Sequence, residues 1–375
     1  MYAHATEDEL EVYAGRVGVT VVPRETRTMV FAKVDEYYRR FPKNVTALNN
    51  KIMTYCLRNR EGPDDIDLKL QVRRALLESV KKVFPEGALV PVGSSVTNVA
   101  TKGSDLDLCM CVHDVDGRYG NDRDFVIARL REFYQELEDS KPEIVLFKKL
   151  ITRTAVPIVR LYLSHRYGTM EVDINCNITA AFYSNHLIQH YVLMDVRVQP
   201  LILAIKNWAK KCDILDSHNR RLNSFSFVMM VIHFLQSVCL PHILPNLYHM
   251  FPNVFRCNVP LKKIEGPHDK CIPTDLRMAQ NDRSVAELFL GFIAYYAEFD
   301  WDTYAIVIRE GKLFERDRDN EESACEMYIE EPYDRFNTTR TVKSEEDKRD
   351  IADKLRGLAF GIFDNGFIDI CDLID

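Results

Sequence analysis

Apolar and polar residues alternate along the stretch from Asp105 to Val112, and this alternation predicts a β-strand. One face would carry Leu106, Leu108, Met110 and Val112, and the other would carry Asp105, Asp107, Cys109 and Cys111. Successive side chains of a strand point to opposite faces. The apolar face is therefore expected in a core, with Asp105 and Asp107 side by side on the opposite face.

Shorter patterns on both sides of this strand predict a small domain of strands and helices. A helix is predicted from Asp64 to about Phe84, with its apolar face formed by Ile66, Leu70, Leu77, Val80 and Phe84. A second helix is predicted over 123–138, and further strands are predicted over 88–92, 144–151, 158–163 and 169–175. Short strands that alternate with helices are typical of an α/β unit, which we place at residues 64–188.

The rest of the chain is predicted to be mostly helical. Two helices are expected between Met29 and about Arg60, and helical spacing resumes near residue 184 and again over 285–299. Residues 1–28 look irregular, 241–284 are loop-rich, and 315–350 are dense in charge. The predicted organisation is an irregular segment (1–28), the α/β domain (64–188) and a helical domain formed by 29–63 and 189–375.

Composition narrows the class of protein. The chain has 375 residues, enough for two domains, and its 46% hydrophobic and 28% charged content is ordinary for a globular protein. It has neither an apolar run of about 18 residues, the length that spans a membrane, nor a secretory signal. The ten cysteines form no C-x-x-C pair, so we expect reduced thiols and a cytoplasmic location.

The aspartate pair follows a turn of small residues, Gly93-Ser94-Ser95. Two carboxylates held close together repel each other unless a cation lies between them, and Mg²⁺ or Mn²⁺ prefers oxygen ligands. A turn of small residues allows close approach of phosphate oxygens to backbone N–H groups. A solvated strand face beside an ordinary turn is the alternative, but both features together are typical of phosphoryl transfer.

The run from Gly93 to Asp107 resembles the signature of the DNA polymerase β-like nucleotidyltransferases, a Gly-Ser pair followed after a spacer by D-x-D. It is most similar to the branch of cytoplasmic poly(A) polymerases of the germline-development type, which are related to terminal uridylyltransferases. The resemblance implies an α+β fold, with a polymerase β-like palm of mixed sheet and helices and a mostly helical central domain. It also implies two Mg²⁺ or Mn²⁺ ions and a nucleoside triphosphate bound in the cleft between the domains.

The same resemblance implies the site residues. Asp173, in the run Val172 to Asn175, matches the third metal-binding aspartate, and Glu171 lies on the same predicted face. The other implied contacts of the nucleotide are Gly93, Ser94, Ser95, Lys206, Lys210, Ser224 and Phe225. Lys206 and Lys210 are four residues apart on a predicted helix and would reach the triphosphate, whereas Trp208 is expected in the core. Asn177 and Asn185 are candidates for ribose or RNA 3′-end contacts.

The run from Ile329 to Arg340 resembles the nucleotide-recognition motif of the family. Uridylyl-transferring relatives typically carry a histidine immediately before the asparagine of this motif, which narrows the pocket. Here Phe336 precedes Asn337, and the loop is one residue shorter. The resemblance therefore implies that Asn337 contacts the nucleotide and that ATP is preferred to UTP.

The expected activity is template-independent addition of AMP from ATP to RNA 3′ ends by a two-metal-ion mechanism. The alternatives are uridylyl transfer from UTP and an inactive scaffold in an RNA-regulatory complex. The net charge of −7 is unusual for a protein that holds nucleic acid tightly by itself. We therefore expect an RNA-binding partner protein that recruits the RNA and stimulates activity, with neither DNA nor a membrane as a partner.

Overall fold

The computed structural model of the chain describes residues 19–114, 117–140, 144–256, 280–316, 325–364 and 369–374. Most of the irregular segment predicted at 1–28 and the middle of the loop-rich region at 241–284 lie outside these residues. The chain divides into two compact units, one formed by Asn59–Gln189 and the other by Met1–Arg58 together with His190–Asp375. None of the helices in the described ranges is both long enough and apolar enough to cross a membrane.

The unit at 59–189 is a five-stranded mixed sheet with helices. Its strands are β2 (Ala88–Val92), β3 (Leu106–Cys111), β4 (Val145–Ile151), β5 (Ile158–Leu163) and β6 (Glu171–Cys176). The spatial order is β2-β3-β6-β5-β4, and the β3–β6 pair is parallel whereas the others are antiparallel. The predicted strands are confirmed, although β6 begins two residues later than expected because Gly168 and Thr169 adopt positive φ angles of 71° and 56°.

One face of this sheet forms the core of the unit. The helices α3 (Pro63–Val83) and α4 (Arg123–Ser140) supply apolar side chains that pack with Leu106, Leu108 and Met110 of β3. Alternate residues of β5 and β6 join the same cluster. The face predicted to be apolar on β3 is thus confirmed. The opposite face of β3 carries the half-buried Asp107 and the buried Cys109 and Cys111.

The predicted apolar face of α3 is confirmed at Val80, and at Phe84 just after the helix, but it is wrong at Ile66. Ile66 is exposed, and the buried residues of this helix are Lys69, Val72, Leu76, Ser79 and Val80. The apolar pattern did not mark Lys69 and Ser79 as inward because both side chains are polar.

The second unit is mostly helical. Its long helices are α1 (Arg24–Arg40), α2 (Pro42–Asn59), α6 (Val198–Lys211), α7 (Ser224–His233), α10 (Val285–Ala297) and α11 (Glu345–Ala359). Two short helices, α8 (Leu247–Met250) and α9 (Pro252–Phe255), lie in the region predicted as loop-rich, and α5 (Thr179–Met194) contains the boundary between the units. A three-stranded antiparallel sheet has the order β1-β8-β7, from β1 (Val19–Thr20), β8 (Lys312–Glu315) and β7 (Tyr304–Val307).

The start of α1 corrects the irregular segment predicted at 1–28. Residues 24–28 are helical, and Arg27 is 1% exposed on the same face as Val30, Phe31 and Val34. An arginine at the first inward position breaks the apolar period, so the pattern alone placed the helix start too late.

Candidate active site

Four charged side chains form a row across one face of the five-stranded sheet. Asp107 on β3 is paired in register with Asp173 on β6, Asp173 with Arg160 on β5, and Arg160 with Lys149 on β4. Adjacent strands are about 4.8 Å apart, so Asp107 and Asp173 project as direct neighbours. Asp105 lies just before β3 on the Asp107 side of the alternation. The structure therefore places the three predicted metal ligands on one face of the sheet.

Electrostatics confirm that these carboxylates crowd one another. Burial raises the pKa of Asp107 to about 7, with the negative charges of Asp173 and Asp105 acting in the same direction. The pKa of Asp105 is also raised, first by desolvation of its carboxylate and then by Asp173. The site favours an added positive charge, and its donors are all carboxylate oxygens.

The chemistry of this donor set fits a hard divalent cation such as Mg²⁺ or Mn²⁺, which would be held by Asp105, Asp107 and Asp173. Another acidic cluster does not fit as well. Asp302, Glu326 and Glu345 place ligand atoms within 4.8 Å of one another, but the buried ammonium of Lys348 lies 2.6 Å from Asp302 and 2.7 Å from Glu345. Lys348 already supplies the cation there.

Gly93 is the residue that lets the turn approach Asp107. Its φ is 77°, and a Cβ atom at this position would lie 2.4 Å from Oδ2 and 3.1 Å from Cγ of Asp107. A side chain would therefore strain the backbone and collide with the carboxylate. The glycine of the predicted phosphate-binding turn is required by the neighbouring Asp107 carboxylate as well as by the turn.

We expect Gly93→Ala to weaken Mn²⁺ binding by about tenfold or more, because the new methyl group displaces the Asp107 carboxylate. Gly103→Ala is the matched control, since Gly103 also has a positive φ of 71°, but a Cβ atom there would have no atom of the described residues within 4 Å. Both variants should lose about 1–2 kcal/mol of folding stability from backbone strain. Calorimetric Mn²⁺ titration distinguishes them, and equal affinities would show that the contact with Asp107 is unimportant.

The third aspartate is held by an arginine that the sequence analysis missed. Nε of Arg160 donates to Oδ1 of Asp173 at 2.8 Å, and Nη2 donates to Oδ2 at 2.7 Å. Glu171 lies 3.5 Å from the same guanidinium. These carboxylates raise the pKa of Arg160 above its ordinary value, so it stays charged. The available signal was its position on the polar face of β5, between the buried Val159 and Leu161.

A second missed residue, Lys69, supports the turn and the start of β3 from the interior. Its ammonium forms an ion pair with Glu61 and donates to Ser95 Oγ at 2.8 Å, Ser104 Oγ at 3.1 Å and the backbone oxygen of Asp105 at 3.0 Å. The side chains of Lys69 and Glu61 are each 6% exposed. The hydroxyl of Ser95, predicted to contact the nucleotide, is thus already engaged in this network, whereas Ser94 is half-buried in the same turn.

The predicted triphosphate lysines lie in the helical unit. Lys206 and Lys210 are both on α6, where Lys206 is half-buried and Lys210 is exposed. Trp208 between them is 1% exposed, which confirms that it belongs to the core. Their contacts with a triphosphate stay a prediction.

The structure joins the start of α7 to the predicted recognition loop. Asn223 caps α7 by accepting a hydrogen bond from Ser226 N at 2.8 Å and donates to Thr338 O at 2.7 Å. Ser226 and Thr338 also share a hydroxyl hydrogen bond of 2.9 Å. Ser224 and Phe225, both half-buried in the first turn of α7, are therefore held next to the segment that follows Asn337.

The three asparagines predicted to contact the nucleotide are all buried. Asn337 accepts from Ile329 N at 3.2 Å and donates to Met327 O at 2.8 Å, which closes the loop. Asn177 bonds through its amide to both backbone groups of Val112, with donation to the carbonyl at 2.8 Å and acceptance from N–H at 2.9 Å. These bonds give Asn337 and Asn177 structural roles, and their nucleotide contacts, like that of Asn185 in α5, stay predictions.

Comparisons with known proteins agree with this arrangement. The family model for the central palm domain of mitochondrial-like poly(A) RNA polymerase matches residues 48–193, and the model for Cid1 family poly A polymerase matches residues 284–337. The chain is 31% identical to Poly(A) RNA polymerase GLD2 of Mus musculus over 80% of its own length, and it spans 61% of that relative. It is 32% identical to Poly(A) RNA polymerase gld-2 of Caenorhabditis elegans over 72% of its length, but it spans only 24% of that longer protein.

Solved structures extend the likeness to the whole fold. A chain of the GLD-2/RNP-8 complex is 30% identical and matches with a TM-score of 0.75 over 88% of this chain and 98% of its own. A cytoplasmic RNA terminal U-transferase matches with a TM-score of 0.71 at 24% identity, a level that shows the fold alone.

The fold and the three clustered aspartates define a polymerase β-like nucleotidyltransferase, which confirms the predicted α+β class. Within that class, the chain belongs to the GLD-2 family of poly(A) RNA polymerase-like proteins.

Proposed function

We propose that this protein adds AMP from ATP to the 3′ ends of RNA without a template and releases pyrophosphate. The observation that supports the proposal most directly is the register of Asp107 with Asp173, with Asp105 beside them, in a chain 30% identical to nearly the whole matched chain of the GLD-2/RNP-8 complex. The curated relatives are named poly(A) RNA polymerases. Because the chain spans about three fifths of the mouse relative, its own activity is a proposal.

The residues of the unit at 59–189 are proposed to act in this reaction as follows. Divalent ions, when bound, would neutralise the triphosphate charge and favour the ionised form of the attacking hydroxyl. Asp105, Asp107 and Asp173 would hold them, and Asp173 would also orient the RNA 3′-hydroxyl and accept its proton. Gly93 allows the turn to lie against Asp107, and Lys69 keeps the turn and the start of β3 fixed to each other. No covalent intermediate with the protein is required.

The helical unit is proposed to select the base. Phe225 would stack on adenine, since an aromatic ring can stack on any base, and Lys206 and Lys210 would bind the triphosphate. Phe336 stands where uridylyl-transferring relatives typically have histidine, and its side chain is 65% exposed. A loop without that histidine is proposed to leave room for the larger purine.

A partner protein is proposed to deliver the RNA. A net charge of −7 gives little general attraction for a polyanion, and the matched GLD-2 chain was solved as a complex with RNP-8. We infer a partner of the RNA-binding kind, which would supply the phosphate contacts. The cytoplasmic location expected from the sequence stays a prediction.

The testing experiment is extension of a short labelled RNA with each of the four nucleoside triphosphates, in Mg²⁺ and in Mn²⁺. We expect ATP to be incorporated at least about tenfold faster than UTP, with few additions per binding event in the absence of a partner. A preference for UTP would contradict the assignment at Phe336. Long tails made by the isolated chain would contradict the need for a partner, and no extension with any nucleotide, even with a partner, would favour an inactive scaffold.

A further inference from the structure

The ion pair between Arg160 and Asp173 occupies both oxygens of a predicted metal ligand. The two donated hydrogen bonds, 2.8 Å and 2.7 Å, are parallel and come from one planar guanidinium. The two side chains are only 21% and 19% exposed, so water screens the pair weakly. A planar guanidinium that donates two parallel hydrogen bonds fixes the plane of the carboxylate, which a single point charge such as a lysine ammonium cannot do.

The arginine also changes the charge that a metal ion would meet. Arg160 is the next residue after Asp173 in the row across the sheet, and Lys149 is one strand further away. Its guanidinium bonds directly to Asp173, which is paired in register with Asp107, so this positive charge lies one strand beyond the two facing carboxylates. Its field must oppose a divalent cation bound to them.

The carboxylate of Asp173 has enough lone pairs to accept from Arg160 and to bind a metal ion at the same time. Each carboxylate oxygen has two lone pairs, and the guanidinium uses one on each oxygen. A metal ion can therefore bind Asp173 while Arg160 stays in place, but it binds beside a fixed positive charge and to a carboxylate of fixed orientation.

We propose that Arg160 is a positioning residue that fixes the carboxylate plane of Asp173 and lowers the affinity of the site for divalent metal. Orientation and charge are separable properties of this side chain. Metal affinity should follow the charge at residue 160, whereas turnover should follow the bidentate geometry. The statement on turnover rests on the proposed function, and the statement on metal affinity does not.

The test begins with calorimetric Mn²⁺ titration of the full chain and three variants. Arg160→Met should bind Mn²⁺ about tenfold more tightly, because a cation in a poorly screened site has been removed. Arg160→Lys keeps the charge and should stay within about twofold of the parent. Lys149→Met is the matched control, since it removes a positive charge from the same row without touching Asp173, and it should also stay within about twofold.

The second arm measures RNA extension at saturating Mn²⁺. Both Arg160→Met and Arg160→Lys should lose about tenfold or more in kcat, with little change in KM for ATP, because neither side chain can form the paired hydrogen bonds. Arg160→Lys would then combine normal metal affinity with low turnover, which a merely structural role would not produce. If Arg160→Met fails to fold, Arg160→Gln replaces it as the neutral variant.

The two arms fail in different ways. Unchanged or weaker Mn²⁺ binding by a folded neutral variant would overturn the proposal, and so would full turnover by Arg160→Lys. A parent chain that binds Mn²⁺ but extends no RNA, even with a partner, would instead refute the proposed function. In that case the metal-affinity result would still decide whether Arg160 opposes the cation.

Discussion

Replacing Asp107 by asparagine is expected to abolish RNA extension and, at the same time, to make the metal-free protein harder to unfold. Loss of this predicted metal ligand should lower kcat by about a thousandfold or more. The gain in stability follows from the pKa of Asp107, which burial and the neighbouring carboxylates raise from the ordinary value of 3.8 to about 7. The folded state disfavours the charge that the aspartate carries at neutral pH, and asparagine removes that charge.

In the metal-free parent, this raised pKa makes the folding stability depend on pH. Since the folded pKa is the higher one, stability from this group is fully present below about pH 4 and is lost as the pH rises through about 7. A rise from 3.8 to about 7 corresponds to at most about 4 kcal/mol. In EDTA, the free energy of unfolding of the parent, measured with urea, should therefore fall between pH 5 and pH 8. That of Asp107→Asn should not fall in this way.

Three comparisons decide this prediction. Added Mn²⁺ should stabilise the parent but not Asp107→Asn, because mass action stabilises only a protein that binds the ion. Asp353→Asn, an exposed aspartate on α11, is the control and should change neither property. An Asp107→Asn variant as active as the parent would remove Asp107 from the site, and equal urea midpoints at pH 8 would refute the raised pKa of Asp107.

The strands and the shared face of Asp105 and Asp107 could be predicted from the sequence because both depend on local order. Alternation with a period of two places Asp105 and Asp107 on one face of β3. The run around Asp173 predicted a strand that the structure pairs in parallel with β3. Alternation alone assigns a face, but it does not say which strands become neighbours, and the family resemblance supplied that step.

The supporting residues could not be predicted, because their roles depend on neighbours that are distant in the chain. Lys69 is 26 residues from Ser95 and 36 from Asp105, and nothing near it marks it as buried. Arg160 pairs with Asp173 only through the antiparallel register of β5 and β6. Arg27 and Lys69 also misled the helix predictions, since a buried charge breaks the apolar pattern on which a helix face is recognised.

Asn337 and Asn177 show a different limit. The resemblance assigned both to the nucleotide. In the structure, however, the amide of Asn337 bonds to backbone atoms of Ile329 and Met327, and the amide of Asn177 bonds to the backbone of Val112. A motif position can be fixed in a family by the loop that it closes as much as by a ligand that it contacts. Sequence alone does not separate these two causes.

The second large effect is expected at Lys69. Lys69→Met should lower the free energy of unfolding by about 3–5 kcal/mol, because it leaves the carboxylate of Glu61 buried and without its cation. The double variant Lys69→Met with Glu61→Gln removes both charges and should recover more than half of that loss. Urea unfolding of the parent and the two variants measures both quantities.

Lys348→Met is the matched control in the other unit. Lys348 is 7% exposed in its side chain and also contacts acidic groups, but the side chains of its two nearest partners, Asp302 and Glu345, are 60% and 54% exposed, and the more distant Glu326 is 22% exposed. Water can solvate them when the lysine is lost, so this variant should cost about 1 kcal/mol. If Lys69→Met lowers the free energy of unfolding by no more than Lys348→Met does, the Glu61 carboxylate is not left buried without a compensating charge.

Stability and turnover should then separate in the double variant. Its neutral pair restores the balance of buried charge, but methionine cannot donate to Ser95, Ser104 and the backbone of Asp105. The turn would lose its connection to the strand that carries the predicted metal ligands, and kcat should stay about tenfold or more below that of the parent. If kcat recovers together with stability, Lys69 serves folding alone. If stability recovers but kcat does not, this buried ammonium holds the predicted phosphate-binding turn and the predicted metal site in one fixed geometry.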